Sequence, residues 1–282
     1  MEELGTQQKI ALFILGRRMV RPVNTRDPSA LGMDFETRRV RCPAGHELEL
    51  WRVRVPSPRA VAVMLHGYAV SKEVMLEAAQ EFAALGCEPW LVDLRGSGGS
   101  DGDSTSLGFH DAEDLEAIAW DVRQCHGGAA PPVTFYGQSM GAVAAIRAVH
   151  LGRINPAVLI LEAPFDSLLN AVRNRFALLG LPVFPAAHLL VFWGGLLFGS
   201  SGFAHRPSLY ARNVRTPVLL MQGDQDRRVT PQQAEVLYAA FPGPRQLIWF
   251  PGAGHESLQQ YDSRLWRESV DCFFKEMLKT DD

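Results

Sequence analysis

Val133-Thr134-Phe135-Tyr136-Gly137-Gln138-Ser139-Met140-Gly141-Ala142-Val143-Ala144-Ala145 is the stretch on which the reading of this chain turns. A short apolar strand runs into Gly-x-Ser-x-Gly and out into a helix of small residues. Without side chains at 137 and 141, strand and helix can crowd together, pushing the Ser139 hydroxyl into the open at a helix N-terminus that favours developing negative charge. The pentapeptide alone is a weak signal, and its setting between strand and helix gives it weight. The competing reading is a serine in a tight turn of a non-catalytic α/β protein.

Working outward, short apolar runs alternate with helical patterns. Ala60 to Leu65, Glu88 to Leu94, Pro132 to Tyr136, Ala157 to Leu161, Pro217 to Met221 and Gln246 to Phe250 read as strands buried on both faces. Ser71 to Leu85, with Met75, Ala79, Phe82 and Leu85 on one side, and Asp111 to Gln124, with Leu115, Ile118 and Val122, read as crossover helices. Upstream, Met33 to Arg41 and Glu47 to Val55 flank Pro43-Ala44-Gly45 and predict an antiparallel hairpin. Downstream, Leu258, Tyr261, Leu265, Val270, Phe273 and Met277 recur near helical spacing and predict one closing helix. The order defines an α/β fold with a mostly parallel, doubly wound sheet and helices on both faces, in which ligands bind at the carboxyl ends of strands.

Serine is a poor nucleophile until a base takes its proton, so Ser139 needs a histidine held by a carboxylate. Both follow strands. Pro217 to Met221 leads into Gly223-Asp224-Gln225-Asp226, and Gln246 to Phe250 leads into Pro251-Gly252-Ala253-Gly254-His255. From the residues alone, Asp224 and Asp226 are both candidates for the acid.

Serine, acid and histidine in that order, behind this elbow, resemble the α/β-hydrolase superfamily, particularly its bacterial esterase, lipase-like and serine-aminopeptidase-like members, from about Met33 to the C-terminus. The resemblance implies the α/β-hydrolase fold and selects Asp226, which stands three residues before Val229 as in those members. Leu65-His66-Gly67-Tyr68 is similar to the family's His-Gly turn, which implies that the backbone amides of Tyr68 and Met140 form an oxyanion hole, with His66 structural. Asp93-Leu94-Arg95-Gly96-Ser97-Gly98-Gly99-Ser100 also looks like a loop of these enzymes. It has no Lys-Ser or Lys-Thr and leads into no helix, so it is expected to be a structural turn rather than a phosphate cradle.

Among eight histidines no two stand at HExxH spacing, and His110, Asp111, Glu113 and Asp114 are explained by the preference for acids in a first helical turn. No metal and no cofactor are expected. Cys42, Cys87, Cys125 and Cys272 form no CxxC pair and are expected to be free thiols, in keeping with a cytoplasmic location. The 282 residues carry 47% hydrophobic and 21% charged side chains with a formal charge of -3, which leaves no basic field for a nucleic acid. The start, with Glu2, Glu3 and the short run Ile10 to Leu15 before Arg17 and Arg18, is not a signal peptide. It predicts a packed helical segment over 1–30, with peripheral membrane attachment through Leu12 and Phe13 as the alternative.

Residues 176–199 contain no Asp, Glu, Lys or Arg. A membrane span is rejected because it would separate strands of one sheet and because Pro182 and Pro185 interrupt it. The expected structure is a small apolar lid, an insertion at about 165–212 in a domain of 31–282, with Tyr68, Phe165, Phe176, Phe184, Phe192 and Trp193 as substrate-binding residues. No charged specificity pocket is visible. The expected function is hydrolysis of small to medium hydrophobic carboxylic esters through an acyl-enzyme on Ser139, with thioesters, a serine-aminopeptidase-like reaction, or an inert binding protein of membrane surfaces as alternatives.

Overall fold

The computed structural model describes residues 21–278, except 129 and 198. The helix expected in the first twenty residues, with Leu12 and Phe13, lies outside the described residues. Residues 21–27 are irregular and only a 3-10 turn, Pro28–Leu31, follows, so the described part of the 1–30 segment is not helical throughout as expected.

Eight strands form one sheet in the order β1-β2-β4-β3-β5-β6-β7-β8. They are β1 (Phe35–Arg41), β2 (Glu47–Val53), β3 (Ala60–Leu65), β4 (Cys87–Val92), β5 (Val133–Gln138), β6 (Val158–Glu162), β7 (Val218–Gly223) and β8 (Arg245–Phe250). The first two make the expected hairpin, in register from Phe35 opposite Val53 to Arg41 opposite Glu47. β2 also meets β4 antiparallel, and every later pairing is parallel. The chain steps from β3 to one side and then returns to β5 on the other. That reversal opens a crevice beyond the carboxyl ends of β3 and β5, where ligands bind in open α/β sheets.

The alternation of side chains along each strand divides the core in two. On one face, Ala60, Ala62, Met64, Leu91 and Tyr136 pack against helix α1 (Leu76–Ala84) and the terminal helix. On the other, Val61, Val63, Leu65 and Phe135 meet α2 (Asp111–Cys125) and α3 (Met140–His150). Between β6 and β7 come α4 (Leu168–Leu178), α5 (Ala186–Leu197) and the single turn α6 (Pro207–Tyr210); α7 (Pro231–Ala240) precedes β8. The closing segment is two helices, α8 (Leu258–Tyr261) and α9 (Ser263–Leu278). Asp262 separates them and accepts a bond from the Leu265 amide at 2.9 Å. The single stripe expected there is therefore broken. Trp266, Val270, Phe273 and Phe274 are buried, whereas Tyr261 is exposed.

The charge-free stretch folds as α4 and α5 around the interruption that contains Pro182 and Pro185, and among the described residues no helix is long and apolar enough to cross a membrane. The glycine-rich loop after β4 is a structural turn. Asp93 accepts the Gly99 amide at 3.0 Å and the Lys72 ammonium at 2.6 Å, so its carboxylate organises the loop from inside. Cys42, Cys87, Cys125 and Cys272 are free.

Candidate active site

Ser139 sits at φ 48 and ψ -107, a conformation that non-glycine residues adopt at a strain of roughly 1 to 3 kcal/mol. Its surroundings explain how it is held there. A Cβ on Gly137 would lie 2.5 Å from the Ala142 amide nitrogen, and one on Gly141 would lie 2.2 Å from the Leu65 carbonyl oxygen. Only glycine lets β5, the turn and α3 pass this closely. The Ser139 amide donates to the Glu162 carbonyl at 2.7 Å, which ties the turn to β6. The hydroxyl is left to face a cavity of about 750 Å³, whose wall also includes His255.

His255 Nδ1 lies 2.7 Å from Asp226 Oδ2. Asp226 is buried and also accepts the amides of Arg228 and Val229, at 2.7 and 2.9 Å, and the Gln222 side-chain amide at 3.1 Å. Burial works to raise its pKa, but the hydrogen bond and charge of His255 and the two backbone donors outweigh it, so the carboxyl is held below the usual range. Asp224 does something else: it is exposed and accepts the Gly252 amide at 2.7 Å, joining the loops after β7 and β8. Gly223 allows those loops to touch, since a Cβ there would meet the Ala253 carbonyl oxygen at 2.4 Å. Asp226 therefore stands beside the histidine, and Asp224 does not.

Among the described residues Ser139 and His255 share the cavity wall without a hydrogen bond between them, a separation common before substrate draws such groups together. The arrangement can pass a serine proton to an imidazole whose far nitrogen is oriented by a carboxylate. The turn after β3 runs against the serine, with the Cβ position of Gly67 only 3.7 Å from Ser139 Cβ. Tyr68 and Met140 both line the cavity. His66 is fully buried, with Nδ1 2.7 Å from the Gly67 carbonyl and Nε2 3.0 Å from the Leu94 amide. These partners require a neutral ring protonated on Nδ1, and burial lowers its pKa accordingly. It braces the turn, as expected.

Of the aromatic residues expected to bind substrate, Tyr68 and Phe165 line the cavity. The other four do not. Phe176 is buried inside the insertion with Val172, Ala187 and Val191, while Phe184, Phe192 and Trp193 are exposed. The cavity-facing side of the insertion is aliphatic instead, formed by Leu168, Ala171, Val172, Leu190 and Val191. An apolar helix gives no sequence clue to which side turns inward, and aromatic size was the wrong guide.

Sequence reasoning passed over three polar residues of the wall. Glu162 is buried and accepts from Tyr136 Oη and Trp266 Nε1, each at 2.6 Å, and from Gln138 Nε2 at 3.2 Å; burial pushes its carboxyl up. His205 joins the insertion to the loop before α2, through Nε2 at 3.0 Å from the Leu107 carbonyl, and burial lowers its pKa to about 4. Arg175 also reaches the cavity, with Arg228 nearby, so the wall carries charge that was not expected. The helical spacing of Arg175 behind Leu168, Ala171 and Val172 was the available signal.

Cys42, His46 and Asp114 bring ligand-type atoms within 4.8 Å of one another. Both Asp114 oxygens already accept Arg95 at 2.9 to 3.2 Å, and a guanidinium in that position repels a cation.

Comparisons with known proteins bear on the fold and the family. Residues 56–190 match the family described as serine aminopeptidase, S33, and residues 200–281 match the prolyl oligopeptidase family. An uncharacterized protein of Mycobacterium tuberculosis is 28% identical over 215 residues, which cover 76% of this chain and 69% of that protein. Human alpha/beta hydrolase domain-containing protein 17C is 25% identical over 218 residues, 75% of this chain and 57% of that one. Among solved structures, the Pyrococcus furiosus esterase Pf2001 superposes with a TM-score of 0.76 at 20% identity, covering 93% of this chain and 99% of its own. The chain has the α/β-hydrolase fold, and the two family matches, which lie one after the other along it, support a serine hydrolase of that superfamily.

Proposed function

We propose that the protein hydrolyses carboxylic esters with hydrophobic acyl groups in two acyl-transfer steps. Ser139 Oγ attacks the acyl carbonyl while His255 takes its proton. The tetrahedral intermediate collapses with loss of the alcohol, to which His255 returns the proton, and water then attacks the acyl-enzyme with His255 again as base. Asp226 orients the imidazole and stabilises the imidazolium. The amides of Tyr68 and Met140 hold the developing oxyanion; a donor of this kind is worth about 3 to 4 kcal/mol in the transition state. The observation that carries the reading is the strained Ser139 facing the same cavity as the His255–Asp226 pair. The aliphatic lining of the insertion supports a hydrophobic acyl group over a peptide. The esterase among the superposed structures adds to that preference.

A second reading, an inert protein of membrane surfaces, draws on the exposed apolar side chains Leu189, Phe192, Trp193 and Leu196 of α5. One experiment separates them. Purified protein is offered p-nitrophenyl esters from acetyl to palmitoyl, beside Ser139→Ala, Asp226→Ala and His255→Ala. The expected result is activity that falls roughly 10^4-fold or more in each variant. A folded parent that cleaves no ester, takes no fluorophosphonate label at Ser139 and floats with liposomes would replace the esterase with the surface protein.

A further inference from the structure

Two guanidinium groups of the cavity wall lack an acidic partner. Arg175, half-buried, and Arg228, exposed to solvent, both belong to the wall, and neither forms an ion pair or a side-chain hydrogen bond among the described residues. The other cation of the wall, Arg26, is paired with Glu77 at 2.6 Å. Of the acids nearby, Glu162 is taken up by Tyr136, Trp266 and Gln138, and Glu256 accepts the Gly254 amide at 3.0 Å. Leaving the Arg175 guanidinium unpaired in a half-buried position is unfavourable, and the charge of the exposed Arg228 makes it more so. Arg175 accordingly has its pKa lowered, by burial first and by the charge of Arg228 next, although a guanidinium stays protonated.

The segments that carry the two arginines are tied together. Asn174 Nδ2, one residue before Arg175, donates to the Arg228 carbonyl at 3.0 Å and to Gln233 Oε1 at 2.9 Å, so α4 is fastened to the loop that carries Arg228. Arg175 also ends a stripe. Leu168, Ala171, Val172 and Arg175 all reach the cavity, at the spacing of one helical face. The seven helical rises from Leu168 to Arg175 make that stripe about 10 Å long. Its near end, Leu168 and Ala171, packs on a cluster of Phe165, Val229 and Val143, the last in the first turn behind the nucleophile elbow. The wall thus runs from the elbow, over aliphatic side chains, to a double positive charge.

We propose that Arg175 and Arg228 form an anion-binding subsite of the Ser139 cavity, selecting esters whose apolar chain ends in an oxyanion, a carboxylate or a phosphate. This rests on the hydrolytic reading of Ser139 and names its substrate class. A planar guanidinium matches either group through paired hydrogen bonds, and a ligand that brings the charge relieves the repulsion between the arginines.

The test compares 4-nitrophenyl half-esters of straight dicarboxylic acids of six to ten carbons with monocarboxylic esters of equal carbon count, and with ω-phosphono esters as a third arm. The expected result is a kcat/KM at least tenfold higher for an anionic ester than for its neutral match, carried by KM. That ratio should fall at least tenfold in Arg175→Met and in Arg228→Met, and fall less in Arg175→Lys, which keeps the charge but not the paired donors. The better of the carboxylate and phosphono arms identifies the anion. A parent ratio of one or less, or a ratio indifferent to both methionine variants, overturns the subsite even where neutral esters are cleaved well. Calorimetric titration of the Ser139→Ala protein with the monomethyl half-esters of the diacids and with the neutral methyl esters of the monoacids is independent of turnover. Binding of the anionic half-esters that is lost in Arg175→Met upholds the subsite even if no ester is hydrolysed, and equal or absent binding of both ligands overturns it.

Discussion

At the carboxyl ends of β5 and β7 the backbone of Ser139 and the carboxylate of Asp226 are held by several close neighbours, whereas the helices that cover them are joined to the sheet at a few points. Ser139 is locked by the hydrogen bond that its backbone N–H donates to the Glu162 carbonyl and by backbone that approaches Gly137 and Gly141 within about van der Waals contact. Asp226 has four donors around it. The pair α4 and α5, in contrast, shares a small core of Val172, Phe176, Ala187 and Val191 and leaves Phe184, Phe192 and Trp193 in solvent. Its polar ties include His205 to Leu107 and Asn174 to Arg228 and Gln233. The contrast follows from the two tasks. Acyl transfer fails when reacting atoms are displaced by an ångström, while a cover must only exclude water and offer a surface of the right polarity.

The largest effect is expected at the rigid end. In Gly141→Ala the new methyl would sit 2.2 Å from the Leu65 carbonyl oxygen, which is backbone of a fully buried central strand and cannot swing aside. Overpacking against an immovable neighbour costs typically 1 to 3 kcal/mol and occasionally more, so a loss of about 3 kcal/mol is expected. Urea unfolding checks the stability, and fluorophosphonate labelling of Ser139 checks the elbow. A variant with parent stability and labelling would show that the elbow is not tightly packed after all.

The same contrast governs what could be read in the chain. β3 was legible to the residue because six consecutive apolar side chains, Ala60–Leu65, are all buried in the middle of the sheet, and the elbow was legible because its glycines answer a local steric demand. Asp226 was legible only by resemblance, since Asp224 follows the same strand and the choice lies in how the loops after β7 and β8 meet. In the insertion the pattern itself was silent. α5 is apolar on every side, so nothing in its spacing says that Val191 faces inward and Phe192 outward. His205 was invisible for another reason: its significance depends on the Leu107 carbonyl, which the loop before α2 brings from elsewhere in the chain.

An intermediate effect is expected where the insertion is tied down by His205. Its ring is buried, and its pKa falls from 6.5 to about 4 on folding. A group whose folded pKa is depressed binds protons more readily in the unfolded chain, so its contribution is full above about pH 6.5 and is lost progressively as pH falls towards 4. Between pH 7 and pH 5 the linkage amounts to about 2 kcal/mol. His205→Gln should remove that part of the pH dependence, read as the difference between parent and variant in unfolding free energy at the two pH values. An identical slope in both proteins would mean that the insertion does not feel this histidine's charge.

The smallest effect is expected on the outer side of the same insertion. Val191 is 2% exposed, whereas Phe192 is 47% and Trp193 58% exposed. The two aromatic rings stack edge to face on one another at 5.5 Å, outside the cavity wall. Removing both therefore deletes contacts that water already shares. Phe192→Ser with Trp193→Ser should shift the unfolding free energy by no more than about 0.5 kcal/mol per site, the ordinary range for surface substitutions. The preferred acyl chain length in the ester series should stay where it is in the parent. A change in that preference would put the rings over the cavity mouth during turnover, and the insertion would then be a part that moves with the substrate and not a fixed cover.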